Sequence, residues 1–470
     1  MKTLISCILA LSLFCGSFGA SNGRQHVVLN PNLSLISQIQ SPNTIYEICY
    51  DFDLQGETLR IPNNCVLKFK GGRIHNGLLT GFVENKHIRP EDVGGNNELG
   101  LYNALSICKK VKLKKDAIYT IGDEYYGKTV GHFPINADRF IDGKGAIINV
   151  VGRKTNGTFF DVINNCTLSV KDLTICYRVS EGGYGQMFRL LSGDLILENI
   201  HFDAETPSFS GFIDVEKCNS IAIKNCYSKI STKQYGGFLW LRNAGGDSKV
   251  QISKSTIIHD TRDECIAFFA NSSQKEKIMG RSFCKIDKCH IVDLNTTHWG
   301  CMSYYRQTES GVDLSVELDV INTTFVTLSN DADIKKLTET SSFLYNGSSK
   351  PVNLDAQFRN CSFDLGMRTF LHGIGADKNV HIVLDHCKIS AFALLKLYSN
   401  QEAKIVMNNS RLQLCCLSYG SGSNDCSLHL HRCRASILEN NTSVHIEPFY
   451  VNVSSLSLED TRIPENYKNK

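Results

Sequence analysis

Residues 193–228 read GDLILENIHFDAETPSFSGFIDVEKCNSIAIKNCYS and contain one full repeat of the pattern that decides the fold. Apolar and polar residues alternate along much of this stretch, and the apolar positions are rich in Ile, Leu, Val and Phe. A strand with one buried face shows this period of two, whereas no helical period persists here. The stretch therefore predicts short β-strands that are separated by corners.

The same pattern recurs along most of the chain. Each instance reads apolar, any, apolar, then a short polar segment that often holds Asn or Cys, then an apolar residue; instances end at Ile175, Phe202, Ser228, Ile257, Ile291, Phe325, Phe363, Ile389, Leu412 and Ile463. A second strand family lies between them, at residues 158–162, 211–215, 237–241, 342–346 and 369–373. Two families that recur in step predict an all-β protein, a single right-handed parallel β-helix.

Asn and Cys residues mark the corners of the predicted coils. Asn225, Asn360 and Asn409 stand between half-strands, where Asn tolerates a left-handed backbone. The cysteines beside them predict an interior ladder of thiols that behave as small hydrophobes: Cys226, Cys289, Cys361, Cys387 and Cys433. Whether any of these thiols pair is left open.

The N-terminus predicts export. Lys2 precedes an apolar run at residues 4–14, and small residues follow up to Ala20, which is typical of a signal peptide over residues 1–20. Cys15 leaves a lipoprotein as the alternative. Of 19 cysteines, Cys7 and Cys15 lie in this segment, so 17 remain in the mature chain. No later apolar run is long enough to span a membrane, so we expect a periplasmic, cell-surface or extracellular location.

The rest of the chain divides into three parts. Residues 21–150 are less regular and predict N-terminal strands and a capping region, with one short helix at 97–111 capped by Asn96 or Asn97. Residues 151–463 predict the regular coils, and residues 464–470 a polar tail. The formal charge of +3 carries no basic stripe, so nucleic acid is not an expected partner. The oligomeric state is not determined by the sequence.

Two N-terminal stretches carry a resemblance. Residues 97–121, NELGLYNALSICKKVKLKKDAIYTI, resemble the entry segment of pectate-lyase-superfamily β-helix proteins. Residues 56–81, GETLRIPNNCVLKFKGGRIHNGLLTG, resemble the N-terminal extension of β-helix proteins exported by Bacteroidetes. The resemblance implies a polysaccharide or oligosaccharide partner, and it specifies the fold better than the activity.

Residues 262–268, RDECIAF, are similar to the GDDCIA-type segment of polygalacturonase-like glycoside hydrolases of family 28. The resemblance implies that Asp263 and Glu264 are the paired catalytic carboxylates and that His298 is the histidine of the next coil. Asp260 precedes the pair, and two carboxyl groups in unlike surroundings suit acid–base cleavage of a glycosidic bond. The alternative is that these carboxylates decorate a solvated turn.

The chain departs from that family's pattern at two places. Gly236 stands where the preceding coil carries an aspartate, and Arg306 does not stand where an Arg-Ile-Lys motif is expected. These departures favour the competing hypothesis, a non-catalytic β-helix that binds glycans or serves as a surface scaffold.

Alternation in the second strand family predicts an outward-facing column of side chains. If its leucines point inward, the column on the outside is Asp161, Asp214, Trp240, Tyr304, Tyr345, His372 and Lys396. Aromatic rings and carboxylates in one line suit a sugar chain. We therefore expect substrate contacts from Trp240, Tyr304, Tyr305, Arg306, Tyr345 and His372.

A polysaccharide lyase is the other enzymatic hypothesis. Asp260, Asp263 and Glu264 offer oxygen ligands for Ca²⁺, and Tyr304, Tyr305 or Arg306 offers a base. A hydrolase needs no cofactor, so Ca²⁺ is expected only for this alternative. The leading expectation is an exported enzyme that degrades polysaccharides with paired carboxylates.

Overall fold

The computed structural model describes residues 23–122, 133–152, 157–180, 185–207, 211–233, 236–243, 245–270, 278–294, 300–306, 312–327, 342–346, 352–373, 379–397, 402–419, 425–437 and 455–463. The predicted signal peptide and polar tail lie outside these residues. Among the described residues, no helix is long and apolar enough to cross a bilayer.

The N-terminal region consists of short parallel strands and one ten-residue helix. Gln25–Val28, Thr44–Ile48 and Val66–Phe69 form a three-stranded sheet, and two pairs follow: Phe52–Asp53 with Ile74–His75, and Thr58–Arg60 with Leu78–Thr80. The helical segments are Leu35–Gln38, the 3₁₀ turn Pro90–Asp92, and Glu98–Ile107.

The helix Glu98–Ile107 confirms the predicted short helix and its N-cap Asn97, but it ends at Ile107 rather than at residue 111, because Lys110–Lys112 is a strand. The Asn97 side chain accepts a hydrogen bond from the Gly100 N–H at 3.0 Å, which satisfies one of the unpaired donors of the first turn. Asn103 is buried and ties the helix to the N-terminal strand Leu78–Thr80, because its Oδ1 accepts from the Leu79 N–H at 2.9 Å. The helix therefore packs against the N-terminal strands.

A single parallel sheet of 31 strands forms the rest of the described chain, as an all-β parallel β-helix. It begins with Lys110–Lys112 and Ile118–Ile121, which pair with Arg139–Gly152. Its strands form three faces, and the strands Arg139–Gly152, Cys166–Val179 and Gly193–Thr206 each run through the first two. The right-handed sense of the coils stays a prediction, as does the boundary between the N-terminal capping region and the regular coils at residues 150 and 151.

The three faces are defined by their strands. The first face continues with Ser220–Lys224, Gly246–Ser253, Ile278–Asp287, Val312–Ile321, Asn353–Arg359, Val380–Asp385, Glu402–Asn408, Asp425–His431 and Ser455–Glu459. The second continues with Tyr227–Thr232, Thr256–Asp260, His290–Asp293, Thr324–Thr327, Ser362–Asp364, the starts of Lys388–Leu397 and Arg411–Tyr419, and Arg434–Ile437. The third comprises Phe133–Ile135, Gly157–Val162, Gly185–Leu190, Gly211–Val215, Gly237–Arg242, Ile266–Ala270, Met302–Arg306, Ser342–Asn346, Thr369–Gly373 and the ends of Lys388–Leu397 and Arg411–Tyr419.

The corner between the first two faces confirms the role predicted for Asn. Asn225, Asn360 and Asn409 have φ values of 53°, 53° and 51°, in the left-handed region that Asn tolerates. Each of these residues turns the strand direction while the coils stay in register. The same conformation recurs in the other coils at Asp172, Asn199, Lys254, Lys288, Asn322, His386, Arg432 and Asp460.

The residues that follow the corners form the predicted buried ladder of cysteines, and the ladder also includes hydroxyl residues. All five predicted cysteines are buried, and every one of the 17 described cysteines is a free thiol. Hydroxyls occupy the same position in the coils between them: Ser255 accepts from the Cys226 N–H at 3.0 Å and donates to the Ser253 carbonyl at 2.8 Å. The Cys289 thiol donates in the same way to the Asp287 carbonyl. The ladder is therefore a column of small donors that satisfies corner carbonyls.

Candidate active site on the third face

The outward column of the third face differs from the predicted one at Tyr304. Strand Ile266–Ala270 pairs Ala267 with Ser303 and Phe268 with Tyr304, and Tyr304 is only 1% exposed within the core. The prediction was wrong for Tyr304, and Ser303 takes its place. The observed column, in order along the solenoid, is Asp161, Arg189, Asp214, Trp240, Ala267, Ser303, Tyr345, His372 and Lys396.

Glu264 lies beside this column, in the turn that enters strand Ile266–Ala270. Its side chain is 8% exposed, so it does not decorate a solvated turn, whereas Asp263 is half-buried and Arg262 exposed. Burial, with the charge of Asp263 next to it, raises the pKa of Glu264 from 4.5 to about 7. Glu264 is thus an acid that can hold its proton near neutrality.

Three chemically active side chains continue the column beyond Ser303. Tyr345, His372 and Lys396 stand in register on successive coils, each at most 5% exposed, and the Tyr345 and His372 rings lie 5.3 Å apart edge to face. Burial and the adjacent Lys396 lower the pKa of His372 to about 3, so this imidazole is neutral. Burial and the charge of Glu264 raise the pKa of Tyr345, which links it electrostatically to the carboxylate pair.

On the other side of Glu264 the column is built from ion pairs. Arg189 binds Asp161 with both ends of its guanidinium, at 3.0 and 2.7 Å, and Arg242 binds Asp214 at 2.7 and 3.0 Å. These pairs fix planar, charged groups on the surface. Arg189 and Arg242 are half-buried and were not identified from the sequence.

Trp240 lies between these ion pairs and the carboxylates. It is half-buried, and the Arg242 guanidinium carbon stands 5.6 Å from the centre of its ring. A side chain on Gly237 would collide with the indole, since a Cβ there would come within 2.1 Å of Nε1. The absence of a side chain at Gly237 therefore lets Trp240 lie close to its own strand, and its role as a sugar platform stays a prediction.

A buried ionic network runs behind the carboxylates. Arg368, which is 1% exposed, donates from Nη1 to Asp293 Oδ2 at 2.7 Å, and Asp293 Oδ1 lies 3.2 Å from His259 Nδ1. Although burial opposes ionisation, Arg368 and His259 hold the pKa of Asp293 below its usual value. The core of the solenoid therefore contains a charged aspartate, which is costly unless it is fully paired.

The network ends at the turn that carries Glu264. His259 Nε2 is 2.7 Å from the Gly236 carbonyl oxygen, which also accepts a hydrogen bond from the Thr261 hydroxyl at 2.7 Å. The Thr261 oxygen in turn accepts from the Asp263 N–H at 3.0 Å. The backbone of Asp263 is thereby tied to the core. None of Arg368, Asp293 and His259 was among the predicted site residues.

The other predicted residues fall in three places. Asp260 ends strand Thr256–Asp260 and accepts a hydrogen bond from the Ser231 hydroxyl at 3.0 Å. Tyr305 and Arg306 belong to strand Met302–Arg306, in register with Phe269 and Ala270. His298 lies outside the described residues. Glu264, Trp240, Tyr345 and His372 thus share the column or its edge, whereas Tyr304 does not.

The described residues contain no group of three His, Cys, Asp or Glu side chains that could hold a metal ion. No protein-family model, curated protein or solved structure matches the chain, so the resemblances noted in the sequence stand without a matching relative.

Proposed function

We propose that the protein cleaves a polysaccharide along the outward column of the third face, with Glu264 as the proton donor. The observation that carries the proposal is a buried carboxyl group whose pKa is raised to about 7, placed beside a line of polar and aromatic side chains. A general acid works best when its pKa is near the operating pH. Proton donation to the leaving glycosidic oxygen is a step that hydrolysis and elimination share.

The sugar chain would follow the column rather than cross it. Trp240 and Arg242 are half-buried and offer a ring and a cation to the sugar on one side of Glu264. Tyr345, His372 and Lys396 continue the line on the other side; each is at most 5% exposed, so they would act on the sugar through their electrostatic field rather than by open stacking. The Lys396 amine makes an acidic sugar the favoured occupant of that side.

Elimination is the second candidate reaction, and one observation favours it. The charge of Asp263 contributes to the raised pKa of Glu264, so the two neighbouring carboxyl groups titrate as a pair and supply one proton donor near neutrality. A lyase needs one acid together with a base and a cation for the uronate carboxylate, and Lys396 is a cation on the same column.

The test is an assay of the purified chain on acidic and neutral polysaccharides, with reducing ends and the ultraviolet absorbance of unsaturated products measured in parallel. We expect cleavage of an acidic polysaccharide that falls by at least ~100-fold in Glu264→Gln, in line with the contribution of a general acid. Glu317→Gln, an exposed carboxylate on the first face, is the matched control and should retain full activity. Full activity in Glu264→Gln, or no cleavage of any substrate in the panel, refutes the proposal, and the second result leaves a glycan-binding scaffold.

A further inference from the structure

The second face carries a column of four basic side chains near its C-terminal end. Lys388 is in register with Arg411, Arg411 with Arg434, and Arg434 with Arg462, so one cation stands on each of four consecutive coils. All four residues are exposed. We call this set the basic ladder; neighbouring strands place its members ~4.8 Å apart along the solenoid.

Several charges on this solenoid are paired across neighbouring coils. Lys224 reaches Glu198 at 3.0 Å, and Arg359 reaches Asp319 at 2.6 Å. Within the described part of the chain, by contrast, no member of the basic ladder forms an ion pair. Asp385, at the neighbouring corner, binds His386 at 2.9 Å. Like charges on directly opposed residues destabilise a sheet, so the fold gains nothing by stacking these cations.

A groove runs along the basic ladder. Its volume is about 510 Å³, and three members of the ladder, Lys388, Arg411 and Arg434, line it. Beside them, the groove is lined by three hydroxyls and one amide, which belong to Ser362, Ser390, Ser436 and Gln413. One carboxylate, Asp364, also lines the groove, at its first coil. The groove therefore presents a line of cations with hydrogen-bonding groups beside them. This arrangement matches a polymeric ligand that carries both anionic groups and hydroxyls.

We propose that the basic ladder binds a linear anionic polysaccharide, carboxylated or sulfated, that lies parallel to the solenoid axis. A sugar chain with an anionic group on each unit presents charges in a line, as the coils present the cations. Single-stranded nucleic acid is a poorer fit, because its binding sites use exposed aromatic rings and the one aromatic residue in this groove, Phe363, is 1% exposed. The surface lies on the second face, so it is distinct from the proposed cleavage site on the third.

The binding test uses the full chain carrying Glu264→Gln, so that a substrate cannot be consumed and binding is read independently of cleavage. Calorimetric titrations use polygalacturonate and dextran sulfate, with neutral dextran and a single-stranded DNA oligomer as comparisons. We expect binding of at least one of the two anionic polysaccharides, which weakens as salt is added, and no binding of dextran. The polyanion that binds identifies the anionic group as carboxylate or sulfate.

The variant Arg411→Glu with Arg434→Glu should weaken that binding at least tenfold. The control, Lys254→Glu with Lys288→Glu, makes the same change in net charge at exposed corner residues and should leave binding within about twofold. If the glutamates disturb folding, as a thermal melt by circular dichroism will show, Arg411→Gln with Arg434→Gln replaces them. Equal binding by the ladder variant and the control overturns the proposal, as does tighter binding of DNA than of either polysaccharide.

Discussion

Replacing Glu264 with Gln should stabilise the fold above neutral pH while it removes the proposed acid. Folding raises the pKa of Glu264 from 4.5 to about 7, so the folded state favours the protonated form. The stability that protonation contributes is fully present below pH 4.5 and is lost as the pH rises through about 7, a total of about 3 kcal/mol. Gln keeps the shape of the protonated acid without its titration. The variant should therefore be more stable than wild type at about pH 8 by up to ~3 kcal/mol, and equally stable at about pH 4.

The measurement is urea unfolding of both proteins across this pH range, followed by tryptophan fluorescence. Trp240 stands one coil from the turn that carries Glu264, so the signal reports on the relevant coils. Glu317→Gln is the control, because its side chain is exposed and should give no pH-dependent difference from wild type. A stability difference between Glu264→Gln and wild type that stays constant from acid to alkaline pH would refute the reasoning, since it would show that Glu264 does not titrate in this range.

Three further predictions concern the buried polar groups. His372→Asn should reduce the loss of unfolding free energy at acid pH. The pKa of His372 is lowered in the folded state, so the wild-type protein loses stability as the pH falls from about 6.5 to about 3, and Asn does not titrate. The same loss at acid pH in wild type and variant, measured by thermal melts, would contradict this. Asp293→Asn should cost about 3–5 kcal/mol because it strands the Arg368 charge in the core, and adding Arg368→Met should recover part of the loss in urea unfolding; a further loss in the double variant would disprove the account. Cys289→Ser should change the unfolding free energy by less than about 1 kcal/mol, because Ser255 fills the same ladder position one coil earlier; a larger loss would show that the ladder requires sulfur there.

The fold was predictable from the sequence because the coil repeats its chemistry. Every coil needs strands with one buried face, which the alternation of apolar and polar residues shows, and a left-handed corner, which residues such as Asn225 show. Pairing in register then follows from stacking, since a slip of one residue would turn a strand's apolar side outward. Strand families read from the sequence therefore matched the observed faces.

The error at Tyr304 has a local cause. In strand Met302–Arg306 the inward position Met302 pairs with Ile266, so Tyr304, two residues later, must also point inward. Reading the aromatic residue as the outward one ignored the preceding methionine. Ser303 is the outward residue, in register with Ala267.

The ionic network could not be predicted from alternation, because its members are far apart in sequence. Arg368 and Asp293 are separated by 75 residues and meet only because the coils stack. A pattern of polar residues at inward positions was the only signal that the sequence offered for them.

The place of this network suggests why a solenoid core tolerates it. An apolar core would be simpler, since a buried ion pair rarely adds stability over a hydrophobic pair of similar size. Yet the chain of contacts from Arg368 through Asp293 and His259 ends on the Gly236 carbonyl and Thr261, which fix the backbone beside Glu264. The Gly236 carbonyl oxygen serves as the acceptor for both His259 and Thr261. The buried charges therefore act by positioning the Asp263–Glu264 turn, a role that stability alone does not explain.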